Sequence, residues 1–150
     1  MAVYITGDLH ANFNRFTNRN FPEQKELTKD DYVIVCGDFG GVWDGCDVEN
    51  HNLDALNERK FTTLFVPGNH EGYDILDKLP VAEWHGGKVS YVRDSIIYLH
   101  RGQVYNIDGK MFWCFGGASS HDISDGILEL DDPNRNLETL IHDTTAMDSW

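Results

Sequence analysis

Three short apolar runs organise the first half of the chain: Ala-Val-Tyr-Ile at 2–5, Tyr-Val-Ile-Val-Cys at 32–36 and Thr-Leu-Phe-Val at 63–66. None alternates with polar residues, and all are rich in β-branched or aromatic side chains. Each is therefore predicted to be a strand buried on both faces, as in a parallel sheet. The polar, helix-compatible stretches 12–18 and 49–59 lie between them and leave room for crossover helices. After Pro80 the pattern changes to short strand-like pieces at 89–92, 96–99, 103–107 and 110–115, punctuated by Arg93-Asp94-Ser95 and Asp108-Gly109 as turns. This second part predicts an antiparallel meander that packs on the parallel sheet as a second sheet. No repeat and no low-complexity linker separates the two parts, so residues 1–150 are expected to form a single domain. Stretch 118–132 is acidic and loop-like, and 136–147 predicts a weakly amphipathic helix.

Composition narrows this picture. With 41% hydrophobic and 25% charged residues the chain is neither disordered, collagenous nor a coiled coil. A chain of 150 residues can bury roughly 68–70% of its unfolded surface without disulfide staples. Twelve Lys plus Arg against twenty-five Asp plus Glu leave a formal charge of −13. Such a surface repels phosphate backbones and anionic lipid, which argues against non-specific nucleic-acid binding and against a membrane partner. A bound divalent cation is the exception, because it reverses the local potential in one cleft. Cys36, Cys46 and Cys114 are odd in number and show no CxxC spacing, and the amino end carries no export signal. A reducing, cytoplasmic location is expected.

The chemistry lies where the apolar runs stop. The three runs end in Gly7-Asp8-Leu9-His10, Gly37-Asp38-Phe39-Gly40 and Gly68-Asn69-His70-Glu71. In an open α/β sheet, ligands bind beyond the carboxyl ends of the strands, so adjacent strands bring these turns to one rim. A single Gly-Asp at a strand end is ordinary turn chemistry. Three in register, each carrying a carboxylate, imidazole or amide, form a ligand set suited to Mn, Fe, Zn or Ni.

These three segments, in order and spacing, resemble the leading motifs of the calcineurin-like metallophosphoesterase family. The likeness extends through Arg101-Gly102 and Phe115-Gly116-Gly117-Ala118. It implies an α/β fold of two packed mixed β-sheets flanked by helices, and metal-dependent hydrolysis of a phosphomonoester or phosphodiester. By the resemblance, Asp8 and His10 would hold one metal, Asp38 would bridge two, and Asn69 would bind the second. His70 would contact the substrate phosphate and assist the leaving group. Two cations about 3.5–4 Å apart would clamp the attacking and leaving oxygens and lower the pKa of water towards about 7. Mn is the favoured cofactor, and the substrate would be a small phosphorylated molecule or nucleotide.

The chain also departs from that family. The downstream Gly-His-x-His motif is missing, which implies a domain incomplete at its carboxyl end, with His121 the best substitute ligand among His51, His85, His100, His121 and His142. His51 and His85 are expected to be solvated. The arginines of the protein serine/threonine phosphatase branch are absent after the second motif and before the third, where the chain reads Phe39-Gly40-Gly41-Val42 and Val66-Pro67. Without those guanidinium forks, bacterial- and phage-type phosphoesterases are the closer comparison. The alternative is a catalytically inactive scaffold or fragment of the same fold that binds a partner protein. Asp122, Asp125 and Glu129 fail the EF-hand spacing. Cys36, Cys114 and Trp113 read as packing residues, and Trp43 and Trp84 as core or rim residues.

Overall fold

Among the described residues eight strands form: β1 (Val3–Thr6), β2 (Tyr32–Cys36), β3 (Thr62–Val66), β4 (Val81–Trp84), β5 (Gly87–Arg93), β6 (Ile96–Leu99), β7 (Gln103–Ile107) and β8 (Lys110–Cys114). Helix α1 (Asp47–Asn57) joins β2 to β3, and the single-turn α2 (Tyr73–Leu76) follows β3. The computed structural model describes residues 1–117, which belong to the unit Met1–Ala118. The segments 118–132 and 136–147, with His121 and His142, lie outside the described residues.

As predicted, β1, β2 and β3 are parallel neighbours, with Val3 opposite Tyr32 and Tyr32 opposite Thr62. The sheet then departs from expectation. β6 joins as a fourth parallel strand with Thr63 opposite Ile96, and β5 and β4 continue antiparallel, giving the order β1-β2-β3-β6-β5-β4. Among the described residues the second sheet consists of β7 and β8. All four residues of β6 are buried, and an interior position in the main sheet is what covers both faces of so apolar a strand. The β7–β8 turn fits its sequence signal: Asp108 at φ 52° and Gly109 at φ 76° supply the two left-handed residues of a two-residue hairpin loop.

The main sheet divides two hydrophobic clusters by side-chain alternation. Val33, Val35, Phe65, Ile96 and Tyr98 face Leu53 and Leu56 of α1. Tyr32, Ile34, Leu64, Ile97 and Leu99 face Tyr105, Ile107 and Cys114 of the hairpin. Double burial fails at β1, an edge strand whose Ile5 is 66% exposed. Cys36, expected in the core, is exposed at the end of β2. Trp113 is also exposed: it stacks on Phe115 at 5.6 Å on the side of the hairpin away from the core. Cys114, by contrast, is buried, and burial pushes its thiol up to about 11.

The stretch 12–18 is a 3-10 turn, Phe13–Phe16, rather than a crossover helix. Asn12 Oδ1 accepts from the Asn14 amide, while Thr17 Oγ1 and Asn20 Nδ2 both donate to the Asn14 carbonyl. Short polar side chains that bond the local backbone in this way compete with an α-helical ladder. Among the described residues no helix is long and apolar enough to cross a membrane.

Phe65 is fully buried between Phe39, 4.4 Å away, and Tyr98, 5.5 Å away, ring centre to ring centre. Phe65→Ala is expected to cost about 3–5 kcal/mol of unfolding free energy, read as a lowered urea midpoint at unchanged slope.

Candidate metal centre

Gly7-Asp8 and Gly37-Asp38 follow directly on the parallel strands β1 and β2, and Gly68-Asn69 follows β3 after Pro67, so the sheet delivers all three turns to one edge. The backbone then laces them together. The Asp8 amide donates to the Gly37 carbonyl, the Leu9 and His10 amides donate to the Asp38 carbonyl at 2.8 and 2.9 Å, and Gly37 donates to Val66. Asp8, His10, Ala11 and Asp38 all hold positive φ between 45° and 59°. Left-handed geometry at four non-glycine residues is strain that the surrounding structure must over-determine, and it concentrates at functional sites.

This backbone gathers the side chains. His10 Nε2 lies 2.8 Å from Asp8 Oδ1 and 3.7 Å from Asp38 Oδ2. One donor atom from each of the three residues falls within 4.8 Å of the others. The other ring nitrogen, His10 Nδ1, is buried with no hydrogen-bond partner among the described residues. Two carboxylates converging on an imidazole form a donor set for a hard-to-borderline divalent cation, so these residues fit the metal that the sequence implies. Asn69 lines the same cleft, a cavity of about 580 Å³ that also takes in Asp8, Asp38, Gly116 and Gly117. His70 stands edge-on to His10 with ring centres 5.1 Å apart, and its amide donates to Asp38 Oδ1 at 3.1 Å. Of the remaining histidines, His51 and His85 are exposed as expected. His100 pairs with Ser90 at 2.9 Å.

Two features of the third turn escaped the sequence reading. Gly68 packs so closely on the Asp38 carboxylate and amide that an added Cβ would displace them. Glu71, only 5% exposed, accepts hydrogen bonds from the amides of Phe39 at 2.8 Å, Gly40 at 3.2 Å and Gly68 at 3.3 Å. One carboxylate thus clamps the second turn to the third. Burial pushes its pKa up to about 7, although the three amides pull the other way. Its position inside the Gly-Asn-His-Glu segment was the available signal. Glu49 does the same for the next loop, accepting from the amides of Trp43, Asp44 and Gly45.

Cations are sparse here. Arg15 spends its guanidinium on the Gly7 carbonyl at 2.7 Å and on Thr6 Oγ1. Tyr73 donates to the Gly68 carbonyl at 2.6 Å, and the Arg101 guanidinium sits 5.1 Å above its ring centre. Burial pushes the Tyr73 phenol up to about 12, so it remains a donor at neutral pH.

The calcineurin-like phosphoesterase family model matches residues 1–148. The chain is similar to the lariat debranching enzyme of Danio rerio, at 28% identity over 93% of this chain and 26% of that protein. It is similar to lariat debranching enzyme A of Xenopus laevis, at 26% identity over 86% of this chain and 26% of that protein. The lariat debranching enzyme of Schizosaccharomyces pombe is 29% identical over 56% of this chain and 20% of that protein. The chain spans about a quarter of the length of the curated relatives it matches. No solved structure gives a significant match. The strand-end turns, their convergence at one cleft and the match along nearly the whole sequence agree, and the chain belongs to the calcineurin-like phosphoesterase family.

Proposed function

We propose that this chain carries the metal-binding face of a metal-dependent phosphate-ester hydrolase. The observation that carries this reading is the convergence of Asp8, His10 and Asp38 donor atoms within 4.8 Å of one another, with Asp8 and Asp38 lining a cleft. Asp8 and His10 are assigned to one divalent cation, Asp38 to a bridging position and Asn69 to a second cation, with Mn the favoured metal. Bound divalent cations supply Lewis-acid polarisation of a phosphoryl group and lower the pKa of water.

The chain's own residues do the positioning. Asp38 is held by the His70 amide through one carboxylate oxygen and turns the other towards His10. Its charge is therefore aimed before any ligand arrives, which is the preorganisation that phosphoryl transfer depends on. His70, presented beside His10 by the same turn, is assigned to the substrate phosphate and to delivery of a proton to the departing oxygen. A phosphodiester is the favoured substrate, because the relatives at 26–29% identity are lariat debranching enzymes. The strongly negative chain favours selective recognition of such a substrate over non-specific binding. Three free cysteines suit a reducing compartment such as the cytoplasm.

The test is to incubate the 150-residue chain with Mn, remove free ion and count bound metal by plasma mass spectrometry. Hydrolysis of bis-p-nitrophenyl phosphate and p-nitrophenyl phosphate is then followed. Two metals per chain with turnover of the diester is the expected result. Absence of both binding and turnover would overturn the reading and leave a partner-binding scaffold.

A further inference from the structure

We propose that Arg101, carried on Tyr73 at the Gly117 edge of the cleft, is a substrate-binding residue that grips a phosphate oxygen. This rests on the hydrolase reading and adds to it a residue that none of the three strand-end turns supplies. Gly117 lines the same cleft as Asp8, Asp38 and Asn69. A Cβ at Gly117 would fall 2.6 Å from the Tyr73 hydroxyl and 2.9 Å from Arg101 Nη1. The bare backbone at this position, with φ 81°, thus leaves room for both side chains beside a residue that lines the cleft.

The guanidinium is available. Among the described residues Arg101 forms no ion pair, and its recorded partner is the face of the Tyr73 ring. Arg15, the other arginine close to the turns, has its guanidinium committed to backbone carbonyls and a threonine hydroxyl. The ring beneath Arg101 is itself fixed, because the Tyr73 hydroxyl donates to the Gly68 carbonyl at 2.6 Å. Gly68 in turn packs on Asp38. A planar cation is thereby tied to the turn that carries Asn69 and His70, and stacking on an aromatic face orients it without using its N–H donors.

Charge gives the arrangement its purpose. An anionic substrate approaching a chain of formal charge −13 meets Asp8 and Asp38 inside the cleft. Bound metal would offset those carboxylates. A guanidinium beside Gly117 would present parallel N–H donors that match phosphate oxygens, and its charge-assisted hydrogen bonds are among the stronger ones available.

The experiment compares wild type with Arg101→Ala and Arg101→Lys. Arg101→Ala is expected to raise KM for bis-p-nitrophenyl phosphate by about 10–100-fold, the loss expected for a hydrogen bond to a charged group, while kcat changes by less than about threefold. Arg101→Lys, which keeps the charge and loses the fork, should recover part of the loss. Inorganic phosphate titrated calorimetrically into the Mn-incubated protein should bind more weakly to Arg101→Ala, with metal content unchanged. Unchanged phosphate affinity, an unchanged KM or a loss of metal in Arg101→Ala would overturn the proposal. Should wild type neither bind metal nor hydrolyse either ester, the hydrolase reading fails, and the phosphate titration still decides the role of Arg101.

Discussion

Asp38→Asn is expected to remove most bound metal and to reduce phosphodiester turnover by about 10²–10³-fold or more, the scale of losing one preorganised electrostatic contact to a transition state. The substitution keeps the shape of the side chain. An asparagine oxygen can still accept from the His70 amide, which here reaches Asp38 Oδ1 at 3.1 Å. The negative charge 3.7 Å from His10 Nε2 is what disappears. Because Asp38 feeds its backbone carbonyl to two amides of the first turn, folding should persist. The thermal midpoint should therefore move by only a few degrees, corresponding to about 1 kcal/mol in a domain of this size. Metal content by plasma mass spectrometry, turnover and a melting curve separate these effects. Full metal loading with unchanged turnover would remove Asp38 from the site.

Glu71 should behave in the opposite way, with stability as the first casualty. Glu71→Ala strands the amides of Phe39, Gly40 and Gly68 in a buried place. Each unsatisfied donor costs about 1–3 kcal/mol, so the sum is a large fraction of a total stability of about 5–15 kcal/mol. Glu71→Gln retains one oxygen acceptor and should lie between wild type and Glu71→Ala. Acidity supplies an independent reading. The folded pKa of about 7 lies above the ordinary 4.5, so the folded state of the metal-free chain holds this proton more tightly than the unfolded state does. The stabilisation from this proton is complete below the ordinary value and is lost as pH rises through about 7. In EDTA, wild type should therefore lose about 2 kcal/mol relative to Glu71→Gln between about pH 5.5 and pH 7.5, measured by urea midpoints. Parallel pH curves for the two proteins would show that Glu71 does not titrate in this range.

The strand-end turns were legible because their chemistry is local. An apolar β-branched run stopped by glycine and a ligand-type residue announces both a buried parallel strand and a rim position, and β1, β2 and β3 bear this out in order and direction. The Asp108-Gly109 hairpin was legible for the same reason, since φ near +50° to +76° at two successive residues is a property those residues carry themselves. Helix α1 was expected at 49–59 and begins two residues earlier, at Asp47. By contrast, segment 96–99 looked like one meander strand among four, and nothing in four apolar residues says which neighbour they choose. Its place beside β3 depends on which strand leaves two faces to be covered. The exposure of Ile5, Cys36 and Trp113 is likewise a matter of position, at a sheet edge, at a strand end and on the outer side of a two-stranded sheet.

By itself, then, the sequence determined the three parallel strands, the turn that ends each of them, the family resemblance and the donor residues Asp8, His10 and Asp38, because each is written in neighbouring residues. Tertiary structure alone decided that β6 enters the main sheet, that Glu71 ties two turns through three amides, and that Arg101 comes to rest on Tyr73 beside the cleft. The physical reason is sequence distance. Propensities, turn preferences and side-chain periods act over a few residues, whereas Glu71 meets Phe39 across 32 positions. Such a contact exists only after the sheet has brought its strands into register.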